Sequence, residues 1–165
     1  MKTIKNKVFF CCVLVFCLSM AIAGISTTAC ANGNCCECPG VGSPGYWMNH
    51  PDAWPVEEIT IGGVTYSRGD AIEWMGAPVK GDKSITLFRA LAAAKLNWMI
   101  GCDCCDCFIG ILTLADEWFE DYPLGSGVRA NACQWQCGGE GYYYWLDLYN
   151  NGNLCSCAPS RDTLE

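Results

Sequence analysis

Residues 82–120 read DKSITLFRALAAAKLNWMIGCDCCDCFIGILTLADEWFE, and this stretch decides the fold class. Asp82 carries the short acceptor side chain that caps helix starts. Leu87, Leu91, Ala94 and Trp98 recur at helical spacing, with Phe88, Ala92, Lys95 and Met99 beside them. The spacing predicts a helix from about Lys83 to Ile100, with Gly101 as its stop. A second helix is expected from about Phe108 to Glu120. Its apolar face would be Ile111, Leu114, Ala115 and Trp118, and Tyr122-Pro123 would end it. The cysteine run between the two then lies in a turn.

Working outward, a short helix is expected around Tyr142 to Asn150, ended by Asn151-Gly152. Upstream, Ile59-Thr60-Ile61 and Val64-Thr65-Tyr66 flank Gly62-Gly63, the pattern of a tight β-hairpin. Ser67 with Asp70 three places on forms a capping box, followed by Ala71, Ile72, Trp74 and Met75 and stopped by Gly76 to Pro78. The same residues spell Arg68-Gly69-Asp70, a cell-adhesion tripeptide, but capping accounts for them. Gly45 to Pro55 packs three aromatics between prolines and reads as a loop too short for a helix. The fold class is therefore mainly α: a small single domain of about three to four helices plus one short β-hairpin, cross-linked by disulfides. The divisions are a signal peptide over 1–29, a Cys/Gly-rich arm over 30–44, a globular domain over 45–157 and a tail over 158–165.

The leader sets the compartment. Lys2, Lys5 and Lys7 precede an apolar run from Val8 to Ile25, and small residues follow. This is the pattern of a secretory signal, with cleavage after Ala23, Ala29 or Ala31. The alternatives are a retained membrane anchor and a lipidated Cys30. After removal, seven basic residues stand against seventeen acidic ones, a net charge of −10. Such a surface repels phosphate backbones and excludes nucleic acid as a partner. The expected location is secreted, or at the cell surface or periplasmic.

Cleavage before Cys30 leaves twelve cysteines, Cys30, Cys35, Cys36, Cys38, Cys102, Cys104, Cys105, Cys107, Cys133, Cys137, Cys155 and Cys157, while cleavage after Ala31 leaves eleven. In an exported chain an even number of cysteines reads as a disulfide framework. Adjacent cysteines, or those one residue apart, rarely bridge each other without strain, so they should reach distant segments. The N-terminal cluster and the Cys133 to Cys157 region are both expected to converge on the central cluster. The alternative is a thiolate site for zinc or copper(I), built from Cys102, Cys104, Cys105 and Cys107 with their overlapping C-x-x-C spacings.

Motifs for known chemistry are mostly missing. Gly40-Val41-Gly42-Ser43-Pro44-Gly45 matches a dinucleotide fingerprint by letters, but it follows cysteines rather than a strand. Tyr149 and Ala158 stand where calcium ligands belong, which excludes an EF-hand around Asp147. The single histidine, His50, could serve a hydrolase as general base, with Asp52, Glu57 or Glu58 orienting it. The acids Asp116, Glu117, Glu120 and Asp121 read as a solvated helix face. Tyr142, Trp145 and Tyr149 share a helical face and could stack on sugars or dock a protein, or else fill the core.

Gly45-Tyr46-Trp47-Met48-Asn49-His50-Pro51, continued by Ala53-Trp54-Pro55, resembles a GYWxNHPxAWP-type motif of uncharacterised exported microbial proteins. The resemblance runs on through ITIGGVTY, PVKGDKSITLFRALAAAKLN and DLYNNGNLC. Met48 departs from the lysine usual in that motif, and the central run is richer in cysteine. The resemblance implies export and one compact domain, and it carries over no catalytic residue. It makes Tyr46, Trp47, Asn49, His50 and Trp54 candidate binding residues beside the aromatics of the last helix. The leading expectation is a non-catalytic binding or structural module without a cofactor, meeting a protein or a glycan. The metal site and the hydrolase are the alternatives.

Overall fold

The structure is a computed structural model that describes residues 38–102, 108–154 and 158–163. Five α-helices occur among the described residues: α1 (Pro44–Asn49), α2 (Arg68–Gly76), α3 (Lys83–Met99), α4 (Phe108–Asp121) and α5 (Glu140–Asn150). One antiparallel hairpin joins β1 (Glu58–Ile61) to β2 (Val64–Ser67). A π-helical turn (Trp135–Gly139) leads into α5, and single 3-10 turns cover Pro51–Ala53 and Arg161–Thr163.

Helix α3 is the axis. Leu87, Phe88, Leu91 and Leu96 are buried, and so are Ala90, Ala92, Ala93 and Ala94. A helix apolar on most sides lies inside a domain rather than on its surface. The alanines leave room for α1, α2, α4 and α5 to pack against it. Asp82 caps it as the sequence indicates: Oδ1 accepts from the Ser84 N–H at 2.9 Å. The same two side chains also hold the loop after α4. Asp82 Oδ2 accepts from the Gly127 N–H and Ser84 Oγ from the Gly125 N–H, each at 2.9 Å.

The hairpin follows its sequence signature. Ile61 pairs with Val64 across Gly62 and Gly63, which take φ values of +57° and +74°. Two left-handed residues make the turn whose twist suits a two-residue hairpin. Ile59 and Ile61 face the core, while Thr60 between them is exposed. Ser67 Oγ then accepts from the Asp70 N–H at 3.1 Å, so Arg68-Gly69-Asp70 is a helix start.

Two local expectations are corrected. Gly45 to Pro55 was read as loop, but Pro44–Asn49 is a helix. Ser43 Oγ caps it by accepting from the Tyr46 N–H at 3.1 Å, and Pro44 opens it. In α4 the buried stripe is Phe108, Leu112, Ala115 and Phe119, with Trp118 beside it, while Ile111 and Leu114 are only half-buried. The stripe rotated because the large rings at both ends of the helix have inward partners: Phe108 meets the Tyr149 ring and Phe119 meets Phe88. The C-terminal tail is packed. Val41 and Ser160 form a parallel bridge, in which the Val41 N–H donates to Pro159 O (2.9 Å) and the Arg161 N–H to Val41 O (2.8 Å). Ala158 is buried beside it.

Cys38 and Cys102 form a disulfide between the N-terminal arm and the end of α3, across a sequence separation of 64. The expected link from the N-terminal cluster to the central cluster therefore exists. Cys30, Cys35, Cys36, Cys104, Cys105, Cys107, Cys155 and Cys157 lie outside the described residues, as does the leader.

Candidate functional site

The motif-bearing segments meet at one buried side chain. Asn97, on α3, accepts at Oδ1 from the Gly42 N–H (2.7 Å) and from the Trp47 indole N–H (2.9 Å). Its Nδ2 donates to Gly42 O and to Asn150 Oδ1, each at 2.9 Å. A carboxamide has two acceptor lone pairs and two donor hydrogens, so Asn97 uses its full capacity. Asn150 Nδ2 in turn donates to Ala90 O at 2.9 Å. Buried amides are stable only when satisfied in this way. Gly42 is required here, because a Cβ would sit 2.5 Å from the Tyr46 ring and 2.9 Å from Trp47 Nε1.

The tryptophans proposed for binding belong to this core. Trp47 is 0% exposed. Trp54 is also buried, and its indole N–H donates to Trp47 O at 2.8 Å. Tyr142 and Tyr149 are buried too. The Tyr149 hydroxyl donates to Cys102 O at 2.6 Å, beside the disulfide. These four rings lie in the hydrophobic core, so the reading of them as exposed contact residues gives way to the core alternative.

The rest of the motif lies at the rim. His50 caps the C-terminal end of α1, with Nδ1 donating to Tyr46 O at 2.8 Å and its ring stacked on Tyr46 at 4.2 Å. The nitrogen that an orienting carboxylate would hold in a catalytic pair thus holds a helix carbonyl. Glu57 is paired with Arg68 at 3.2 Å. Asn49 is exposed and its amide donates to Gly45 O at 2.9 Å. Arg161 from the packed tail lies over the Tyr46 and Trp47 rings at 5.5 and 5.7 Å. This cation–π stack joins the two ends of the domain.

The exposed rings are on α5. Tyr144 is 57% exposed and meets the half-buried Trp145 edge-on at 5.4 Å. Trp145 has left the expected face because the inward stripe is Tyr142, Leu146, Tyr149 and Asn150. Tyr143 is half-buried against Trp135. Burial, and then the charge and hydrogen bond of Asp147, hold its phenol above the usual tyrosine range. Burial, and then the charge of Glu117, do the same for Tyr142. Both hydroxyls remain neutral donors at physiological pH.

Sequence reasoning missed Asn97, and it placed Asp116 on a solvated face. Asp116 Oδ1 takes the Lys95 ammonium at 2.6 Å and the Gly62 N–H at 3.1 Å, while Lys95 also donates to Thr60 O at 2.6 Å. The pair pins the hairpin to α3 and α4. Beside it a shallow apolar groove of about 230 Å³ runs past Trp98, Met99, Ile109 and Leu112.

For metal, Cys102 is taken by the disulfide, so its sulfur cannot be one of the four proposed thiolate ligands. Cys133 and Cys137 have their sulfurs 2.9 Å apart; the central cluster on which they are expected to converge lies, apart from Cys102, outside the described residues. Among the described residues no group of three or more His, Cys, Asp or Glu side chains is placed to hold a metal ion. No family model, curated protein or solved structure matches this chain.

Proposed function

We propose that the chain is an exported, disulfide-stabilised interaction domain, secreted or held at the cell surface, that binds through exposed aromatic rings rather than catalysing a reaction. The observation that carries this reading is the division of labour among its aromatics and amides. The motif residues Trp47 and Trp54 are enclosed together with Asn97 and Asn150, while Tyr144 is exposed to solvent with the half-buried Trp145 edge-on beside it. Adjacent exposed rings with an edge-to-face arrangement suit the apolar face of a sugar or a protein side-chain cluster. Tyr46, Asn49 and His50 form a second, smaller polar patch at the end of α1.

The test is a Tyr144→Ala/Trp145→Ala double variant against a glycan array and against extracellular proteins from its own source. Binding by the parent should fall at least about tenfold in the variant, the effect of losing one strong aromatic anchor. An unchanged affinity with intact circular dichroism defeats the proposal. Amino-terminal sequencing of protein recovered from outside the cell tests export: a start just after Ala23, Ala29 or Ala31 supports it, and a start at Met1 opposes it.

A further inference from the structure

Seven basic residues follow the leader, and four of them are engaged. Arg68 pairs with Glu57 and Lys95 with Asp116. Arg89 donates to Ala77 O at the end of α2, and Arg161 lies over the Tyr46 and Trp47 rings. The other three are Lys80, Lys83 and Arg129, and among the described residues none of them is ion-paired. They stand together. The Lys83 N–H donates to Val128 O at 2.7 Å, and Arg129 Nη1 donates to Lys80 O at 3.2 Å. Residues 77–85 and 122–131, which meet here, hold these three cations and one acid, Asp82. Both carboxylate oxygens of Asp82 are taken up by the Ser84 and Gly127 N–H groups.

The platform under the cations is fixed. Lys80 has φ +46°, a left-handed value that a non-glycine residue keeps only where its surroundings hold it. The Arg129 bond to its carbonyl supplies that hold. Gly81 follows at φ +83°, and a Cβ there would be 2.8 Å from Arg129 Nη1, so the guanidinium rests on the loop backbone. Lys80 and Arg129 are exposed, and Lys83 is half-buried with its ammonium 5.1 Å from the Trp135 ring.

We propose that Lys80, Lys83 and Arg129 form a docking site for an acidic segment of a protein partner. The inference goes beyond the aromatic pair on α5 and does not depend on it. Arg129 offers carboxylates a planar fork of N–H donors, and the two lysines add point charges. Two features select the class of partner. Trp135 is buried with Lys83 over its ring, so a sugar finds no platform here to stack on. Among the described residues the exposed large apolar side chains are Val64, Met99, Ile109 and Tyr144, and none belongs to these two loops. A lipid surface therefore finds nothing to enter it. A peptide bearing Asp or Glu needs neither ring nor apolar anchor. The acidic charge of the rest of the domain is screened beyond about 8 Å at physiological ionic strength, so the charges within the patch decide the contact.

The full-length protein is titrated with fluorescein-labelled hexaglutamate at about 0.15 M ionic strength and followed by anisotropy. Lys80→Gln and Lys83→Gln each remove one cation from the patch, and Arg68→Gln removes one elsewhere. Arg129 is left in place because its hydrogen bond holds Lys80. The expected result is saturable binding that weakens at higher salt. Each patch variant should lose about two- to fivefold in affinity, the scale of one exposed ion pair, and Arg68→Gln should lose none. Circular dichroism of every variant should match the parent. Absence of saturable binding, or an equal loss in Arg68→Gln, overturns the inference. Oligogalacturonate and anionic phospholipid vesicles are titrated in parallel. If either binds through Lys80 and Lys83 while hexaglutamate does not, the cations serve a glycan or a lipid and the proposal falls.

Discussion

Asn97 Nδ2 donates to Asn150 Oδ1 at 2.9 Å, and through this one contact α3, α5 and the N-terminal arm share a hydrogen-bond network. The network needs a carboxamide at both positions, because each side chain donates and accepts.

Asn97→Ala should therefore cost about 3 kcal/mol or more, since each buried group left unsatisfied costs about 1–3 kcal/mol. The Gly42 N–H and the Trp47 indole both lose their acceptor. Asn97→Asp restores the acceptor but not the donors, and should fall between the two. Urea denaturation midpoints at constant slope test the ranking; an Asp variant as stable as the parent contradicts it.

Gly62→Ala and Gly63→Ala separate backbone strain from collision. Both positions have positive φ, and a left-handed conformation costs about 1–2 kcal/mol for an ordinary residue. Only Gly62 also faces a neighbour, with a new Cβ 2.4 Å from Phe119 Cβ, whereas Gly63 has nothing within 4 Å. The Gly62 variant should be the less stable by at least about 1 kcal/mol, the scale of overpacking costs. Equal melting temperatures would refute the close approach of hairpin and α4.

Replacing Cys38 and Cys102 together by Ala or Ser should lower stability by about 2–4 kcal/mol, the usual effect of losing a bridge that closes a long loop. The separation of 64 residues places this bridge in that class. The parent protein should lose a similar amount on reduction, while the double variant should respond to reductant less. Identical reductant sensitivity in both would show that stabilisation comes from elsewhere.

Alkaline pH should destabilise the fold. Tyr66, Tyr142 and Tyr143 all have phenols raised above the usual tyrosine range, burial being the first cause in each. The unfolded chain releases these protons near pH 10, and the folded chain holds them longer. The stabilisation is complete below the unfolded value and is lost as pH rises through the folded values. Thermal melts at rising alkaline pH, with tyrosinate absorbance followed in parallel, should show both a falling midpoint and late-titrating tyrosines. A flat midpoint across that range contradicts the burial.

Where local chemistry decides structure, the sequence was readable. Asp82, Ser67 and Gly62-Gly63 act on their own neighbours, and each performs the role its spacing indicates. The α4 face was misplaced because Ile111 and Leu114 form as good an apolar stripe as Leu112 and Phe119. Only the distant Tyr149 and Phe88 select between them. The candidate site was less legible. Trp47 and Trp54 look like binding residues in a Pro-rich loop, yet Trp47 finds its partner Asn97 50 positions away, on a helix where a polar residue looks like surface, and Trp54 in turn donates to Trp47 O. One signal was available: Asn97 follows Leu87, Leu91 and Ala94 on the predicted helix, where Ala92-Ala93-Ala94 and Leu96 make its surroundings largely apolar. Asp116 was hidden for the same reason, since its partner Lys95 belongs to a different helix.

The pairing of Val41 with Ser160 is parallel, and this sets how the domain answers tension. A pull on the chain preceding Cys38 is caught by the covalent link and delivered to the end of α3 before it reaches Val41. A pull on the chain beyond Arg161 drags one strand lengthwise against its neighbour. The two backbone hydrogen bonds at Val41 are then strained together rather than unzipped in turn. A domain joined to its surroundings at both ends would carry load through the same edge at which its ends meet.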